Sequence, residues 1–196
     1  MKDIFQSFES EFNKHKDVPN LEVEFRLGKK GNGVFDTNVG EDAFFKLKKA
    51  LGQFGDWESV VDSTTDVYYG KGGMRLQVNS MTDEQHAELK KTISKTDHIS
   101  NNLPFDIRMS MATETATVAV DDAEYDSTKK KIRTSYVRKG LSIDMTMFSG
   151  SPDDMDCEDD MSYHVEFEIK NPRGVKTRDQ LYNHLYKIKN LLDCLV

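Results

Sequence analysis

Residues 21–28, Leu-Glu-Val-Glu-Phe-Arg-Leu-Gly, and residues 163–169, Tyr-His-Val-Glu-Phe-Glu-Ile, carry the same alternation. On an extended chain Glu22, Glu24 and Arg26 share one face, and Leu21, Val23, Phe25 and Leu27 share the other. In the second stretch, continued by one residue, His164, Glu166, Glu168 and Lys170 oppose Val165, Phe167 and Ile169. Successive side chains of a strand point to opposite faces, so each stretch pairs an apolar face with one that bears charges of both signs. The pattern recurs in 129–136, with Lys129, Lys131 and Arg133 in phase. It recurs again in 141–147, where Ser142, Asp144 and Thr146 oppose Leu141, Ile143, Met145 and Met147. A half-exposed antiparallel strand gives such a pattern too, its polar side facing water. Ionisable residues of both signs on several strands, with enough apolar helix to cover the opposite face, favour a barrel with a polar, solvent-filled lumen.

Working outward, period-two segments cover 21–27, 59–69, 73–79, 89–95, 105–113, 115–120, 131–138, 141–148 and 163–170. Lys71-Gly72-Gly73 and Lys139-Gly140 read as turns, and 151–160 as an exposed loop. Three amphipathic helices flank the strands. Phe5, Phe8 and Phe12 stripe 3–15, and Phe44, Leu47, Leu51 and Phe54 stripe 41–54. The third, 177–194, opens on Thr177 and Gln180 in capping-box spacing and shows Leu181, Leu185, Ile188 and Leu192 on one face. The predicted fold is α+β: a closed antiparallel eight-stranded β-barrel, a tunnel with a charged lumen, with helices packed outside. No repeat or Pro- or Ser-rich linker divides the 196 residues, so one domain over 1–196 is expected.

Composition agrees. Hydrophobic residues make up 37% and charged residues 31%, and 11 Phe with 7 Tyr argue against disorder. No apolar run approaches the roughly 20 residues of a membrane helix, and the N-terminus lacks a signal-peptide core. Membrane partners and secretion are disfavoured. Two cysteines, Cys157 and Cys194, are too few for a disulfide framework, which fits an intracellular setting. The net charge of −7 comes almost entirely from six acids in 151–160, whereas 129–139 holds six bases and no acid. A near-neutral body with locally concentrated charge suits a focused polyanion site better than a broad nucleic-acid surface.

Residues i and i+2 on a strand lie about 6.6 Å apart and point the same way, so two carboxylates at that spacing can share one divalent cation. Glu22 with Glu24 and Glu166 with Glu168 form two such pairs at opposite ends of the chain, and first and last strands meet when a sheet closes. Oxygen ligands with open positions favour Mg²⁺ or Mn²⁺. Lys129, Lys131, Arg133, Arg75 and Arg108 stand in predicted strands and need anionic partners if they face a lumen. Carboxylates and a metal on one wall with Lys and Arg on the other would clamp a phosphate chain for transfer to water.

The segments 21–28 and 163–169 resemble the first and last glutamate strands of the triphosphate tunnel metalloenzymes. They look closest to the metal-dependent RNA 5′-triphosphatases of fungi and large DNA viruses, which begin mRNA capping. Between them, MRLQV (74–78), FDIRMSMATE (105–114), KKIRTSY (130–136) and SIDMT (142–146) resemble further tunnel strands in the same order. The resemblance implies that Glu22, Glu24 and Glu168 hold one Mg or Mn ion and that Glu166 orients or deprotonates the attacking water. It implies contacts from Arg75, Lys131 and Arg133 to the γ-phosphate, supported by Lys90, Arg108 and Lys129. Lys90 is chosen over Lys91 because Leu89 and Ile93 set the opposite phase. Glu114, Asp144 and Thr146 would fix those cations by ion pairs and hydrogen bonds. Two positions depart from the fungal pattern: His164 stands where a third glutamate is found, and Ser142 where an arginine is found.

The implied activity is a polynucleotide 5′-triphosphatase acting on triphosphate-ended RNA, with NTP as a further substrate when Mn is present, and a capping guanylyltransferase as partner. A viral protein acting inside an infected host cell fits the resemblance. Alternatives are an inorganic tripolyphosphatase or NTPase of the same fold, and a non-catalytic polyphosphate- or RNA-end-binding module. The apolar N-terminal helix suits packing on the barrel or a homodimer interface, so monomer and homodimer both stay open. Trp57 and the methionines read as packing residues, and His15, His86, His98 and His184 as surface residues.

Overall fold

Leu21–Gly31 (β1) and Ser162–Ile169 (β9), the two glutamate-bearing strands, lie side by side and close the sheet. The structure, a computed structural model, describes residues 2–118, 125–150 and 161–196. Between those strands run Val34–Asp36 (β2), Ser59–Gly70 (β3), Met74–Asn79 (β4), Gln85–His98 (β5), Asp106–Thr117 (β6), Tyr125–Arg138 (β7) and Leu141–Ser149 (β8). The spatial order β1-β6-β5-β4-β3-β7-β8-β9 returns to β1, and each neighbouring pair is antiparallel. Eight strands thus form a closed barrel, and closure removes the sheet edges. β2 is a short extra strand paired only to the end of β1 among the described residues. The periodicity misses it because three residues are too few to show a period.

Two further expectations are corrected. Segments 105–113 and 115–120 are not separate strands: β6 runs unbroken through Glu114 to Thr117, paired with β5 along its length. Thr113, Thr115 and Thr117 favour extended backbone, and no Gly or Pro interrupts them. The end of that expected strand, the acidic stretch 151–160 and Cys157 lie outside the described residues. His15, His98 and His184 are half-buried rather than surface residues. The imidazole of His98 bonds Ser7 at 3.0 Å beside Phe8.

The apolar face of the barrel points outward, under helices. Lys2–His15 (α1) buries Ile4, Phe5, Phe8 and Phe12; Glu41–Gln53 (α2) buries Phe44, Leu47 and Leu51. Arg178–Leu192 (α3) buries Leu181, Leu185, Ile188, Leu191 and Leu192. Thr177 caps α3 by accepting from the Gln180 amide, and the Gln180 side chain completes the capping box. These stripes join Val23, Phe25, Leu27, Ile107, Met109, Met111, Met145, Val165, Phe167 and Ile169 in one core. Trp57 packs beside Phe54 and Tyr136 and donates to the Leu51 carbonyl at 2.9 Å. With the hydrophobic core outside, the inner face is free to be polar.

Gly73 sits where β4 leaves its turn, at φ 87°, and a Cβ there would overlap the Lys90 carbonyl oxygen. Gly73→Ala therefore combines backbone strain with a push against β5 at Lys90. The expected loss is about 2–4 kcal/mol, lowering the thermal midpoint by roughly 5–10 °C. Calorimetric melts of the two proteins check it.

Candidate active site

The inward faces of the strands enclose a cavity of about 420 Å³ running through the barrel. Its lining includes Glu22, Glu24 and Arg26 from β1, Glu166 and Glu168 from β9, and Asp144 from β8. The lining also holds Arg75 from β4, Lys90 from β5, Lys129, Lys131 and Arg133 from β7, and Glu114 from β6, the strand next to β1. Antiparallel pairing sets Glu24 against Glu168 and Arg26 against Glu166, so four carboxylates of distant sequence meet on one wall. A groove of about 750 Å³ between α2, α3 and the β7–β8 turn is larger but mostly apolar, and none of the predicted site residues lines it.

Ion pairs organise the charges. Arg26 Nη2 lies 2.6 Å from Glu24 Oε1, and Arg26 Nε lies 3.1 Å from Glu166 Oε1. Arg133 donates to Thr146 Oγ1 at 2.8 Å, Asp144 Oδ2 at 2.9 Å and Glu166 Oε2 at 2.7 Å. Lys90 pairs with Glu22 and lies 2.9 Å from Glu114. Lys170 reaches Glu168 at 3.1 Å. Lys131 donates to Gln77 Oε1 at 2.9 Å, and Gln77 donates to Glu88 at 3.3 Å. Thr146, wholly buried, acts through Arg133 rather than from the cavity wall.

Arg108 is the predicted site residue that does not join this group. Its guanidinium is bidentate to Asp97, at 2.6 and 2.9 Å, and lies 4.5 Å over the Phe35 ring. A bulge in β5 between Thr92 and Ser94 shifts the register and sets Asp97 opposite Arg108. Sequence reading placed Arg26 on the charged face without a role and passed over Gln77, Glu88 and Tyr69, all in the lining. Phase could have found two of these: Glu88 is in step with Lys90, and Gln77 with Arg75.

The charges are unevenly matched. Burial, then the Glu24 charge, pushes Glu22 up to about 8 despite its pairing with Lys90. Burial and Glu166 raise Glu24 as well. On the other wall, burial and the like charge of Arg133 lower Lys131 to about 8. Burial would raise Glu166, but Arg26 and Arg133 hold it down to about 2. The wall of Glu22 and Glu24 thus favours an added cation, and the wall of Lys131 an added anion.

Whether Glu22, Glu24 and Glu168 suit a divalent metal follows from that donor set. Among the described residues no three acidic, His or Cys side chains already stand as a metal cluster, because Lys90, Arg26 and Lys170 each hold one carboxylate. The donors are nonetheless all oxygen and come from two paired strands, and burial and crowding disfavour the charged forms of Glu22 and Glu24 until a further cation joins them, which fits Mg²⁺ or Mn²⁺.

Comparison with known proteins agrees with this architecture. The sequence model of the family described as mRNA capping enzyme, beta chain, matches residues 35–195. A closed eight-stranded antiparallel tunnel with helices outside is the fold of a triphosphate-tunnel protein. The chain belongs to the mRNA capping enzyme beta-chain family. It is 34% identical over 137 residues to the mRNA-capping enzyme subunit beta of Yarrowia lipolytica, a match covering 67% of this chain and 33% of that protein. The match thus spans about a third of the Yarrowia protein's length. A 5′RNA triphosphatase of Paramecium bursaria Chlorella virus 1 is 24% identical over 188 residues, covering 95% of this chain and 88% of the viral one. The S. pombe Pct1 RNA triphosphatase superposes with a TM-score of 0.82 at 16% identity, covering 97% of this chain and 91% of that one. The Mimivirus capping enzyme triphosphatase gives 0.67 at 12% identity, covering 98% of both chains. These structures share the fold. No helix among the described residues is long and apolar enough to cross a membrane.

Proposed function

We propose that this chain, as one tunnel domain over 1–196, is a metal-dependent RNA 5′-triphosphatase that removes the γ-phosphate of triphosphate-ended RNA before guanylyl transfer. One observation carries the reading: Glu22, Glu24, Glu166 and Glu168 from β1 and β9 line one cavity together with Arg75, Lys131 and Arg133 from β4 and β7. Family membership and the uneven charge of the two walls support it. Its partners would be triphosphate-ended RNA, NTP and a capping guanylyltransferase, inside a cell.

Glu22, Glu24 and Glu168 would hold one Mg or Mn ion. Bound there, it would neutralise charge on the γ-phosphoryl oxygens. Arg75, Lys131 and Arg133 would bind and orient the γ-phosphate, with Lys90 and Lys129 adding positive charge along the chain. Asp144 and Thr146 hold the Arg133 fork in place, and Glu114 holds Lys90. A carboxylate held near 2 is a poor proton acceptor at neutral pH. Glu166 therefore accepts a hydrogen bond from the attacking water and aims it, which suffices for a loose transition state that demands little of a base.

The test is phosphate release from triphosphate-ended RNA, NTP and inorganic tripolyphosphate, with Mg²⁺, with Mn²⁺ and with chelator. Metal-dependent release from RNA ends is expected. Release from tripolyphosphate alone would move the substrate to inorganic polyphosphate. Metal-dependent binding without release from any of them would make the chain a binding module.

A further inference from the structure

Phe148 stands outside the hydrophobic core and lines the charged tunnel instead. It shares the inward phase of Asp144 and Thr146 on β8, and the register sets it opposite Lys131 on β7 and Ser162 on β9. Its ring meets the imidazole of His164, also in the lining, edge-on, with centroids 5.0 Å apart. That imidazole is fixed at both nitrogens: Nδ1 lies 3.1 Å from Thr37 Oγ1, and Nε2 lies 3.1 Å from Ser162 Oγ. β8 ends at Ser149 and β9 begins at Ser162, so the pair sits at a mouth of the barrel. From that mouth Lys129, Lys131 and Arg133 lead inward along β7 in steps of about 6.8 Å, toward Glu166.

We propose that Phe148, braced by His164, is a stacking platform for the first nucleobase of the triphosphate-ended substrate. The inference rests on reading the tunnel as a triphosphate site and adds what holds the nucleoside. A triphosphate with its γ end at the Arg133 guanidinium, beside Asp144 and Glu166, leads its nucleoside outward along β8 to Phe148, two pleats away and level with Lys131. A half-buried phenyl ring among charges gains from an apolar cover, and every nucleobase has a π-face to supply one. Stacking of this kind grips any base, as an enzyme acting on RNA ends of any sequence needs. Inorganic tripolyphosphate has no such face.

The experiment is calorimetric binding, with Mg²⁺, of β,γ-methylene ATP and GTP and of a methylene-bridged inorganic triphosphate, none cleavable at the γ position. Wild type is compared with Phe148→Ala, Phe148→Leu and Phe148→Trp, each checked for folding by thermal melt. Phe148→Ala and Phe148→Leu are expected to weaken nucleotide binding roughly 5- to 150-fold relative to the inorganic ligand. Phe148→Trp keeps the affinity, and its added indole emission, over the Trp57 background, is quenched by nucleotide and not by the inorganic ligand. Equal weakening of both ligands, or unchanged nucleotide affinity in Phe148→Ala, overturns the platform. Because binding is read, a wild type that binds both ligands but never releases phosphate counts against hydrolysis and leaves this test intact. A wild type that binds neither overturns the tunnel reading and the platform with it.

Discussion

Glu24→Gln is expected to cut metal-dependent phosphate release by about 10²–10³-fold while leaving the metal-free protein at least as stable as wild type. Glu24 is buried beside Glu166 and Glu22, and those like charges are held together at a cost. The amide keeps an acceptor for Arg26 at the position where Glu24 Oε1 now lies 2.6 Å away, and Arg26 keeps Glu166. What disappears is one anionic ligand for the metal. The pH dependence separates the two effects. Glu22 has a folded pKa of about 8, raised from 4.5, so its contribution to stability is full below about 4.5 and is lost as pH rises through 8. Metal-free wild type should therefore melt at lower temperature at pH 8.5 than at pH 6. Mn²⁺ should reverse that loss, since the ligands bind deprotonated. At 100 times its Kd a bound ion adds about 2.7 kcal/mol, or roughly 5–10 °C in midpoint. In Glu24→Gln the loss with pH should shrink, because burial still raises Glu22 but the Glu24 charge no longer adds to it, and the Mn²⁺ effect should collapse. Full turnover in this variant, or an undiminished Mn²⁺ shift, would remove Glu24 from the metal site.

The same carboxylates were the most legible part of the sequence. A lumen inverts the usual rule: charge alternates with apolar residues because the core lies outside the barrel, and Glu22, Glu24, Glu166 and Glu168 announce the inner face directly. Strand identity was readable for a similar reason, since Val, Ile, Phe, Met or Leu stands at every second position over 21–27 in β1, 141–147 in β8 and 165–169 in β9, while in β7 the cations at 129, 131 and 133 carry the phase. The meeting of β1 with β9 was expected from closure of the sheet, but the rest of the pairing order was not readable. β1 meets β6, and β3 meets β7, through contacts remote in sequence that no local pattern encodes. Arg108 shows the consequence. Its phase is right, but the bulge in β5 supplies Asp97 as a partner, and a bulge leaves no mark in the alternation of its neighbours. Glu88 and Gln77 were overlooked for a different reason. Each looks like a solvated side chain until pairing of β5, β4, β3 and β7 sets Glu88 beside Arg75 and Gln77 beside Lys131.

Arg133→Ala is expected to abolish more than charge. The guanidinium bridges Thr146, Asp144 and Glu166 in one fork, and a fork bound at three points fixes both its own direction and that of Glu166. Truncation leaves Asp144 with the Ser142 hydroxyl, 2.6 Å away, and Glu166 with Arg26. Breaking a buried pair by removing one partner costs about 3–5 kcal/mol, and losing one charge stabiliser of the γ-phosphate costs about 10²–10³ in turnover. Arg133→Lys restores the positive charge without the planar fork. It should recover part of the stability but little of the rate, which separates charge from positioning. Acid titration gives a reading that simple unfolding would not. Arg26 and Arg133 hold Glu166 near 2 in the folded state, so its contribution is full above the ordinary carboxylate value of 4.5 and is lost as pH falls through 2. Without Arg133 the folded value climbs toward 4.5, and the acid limb of the stability curve should move to higher pH. Denaturant melts of wild type, Arg133→Lys and Arg133→Ala between pH 2 and 7 check this. An acid limb that stays put in Arg133→Ala would mean that Arg26 alone governs Glu166, and the water-aiming carboxylate would then owe its charge to β1 rather than to β7.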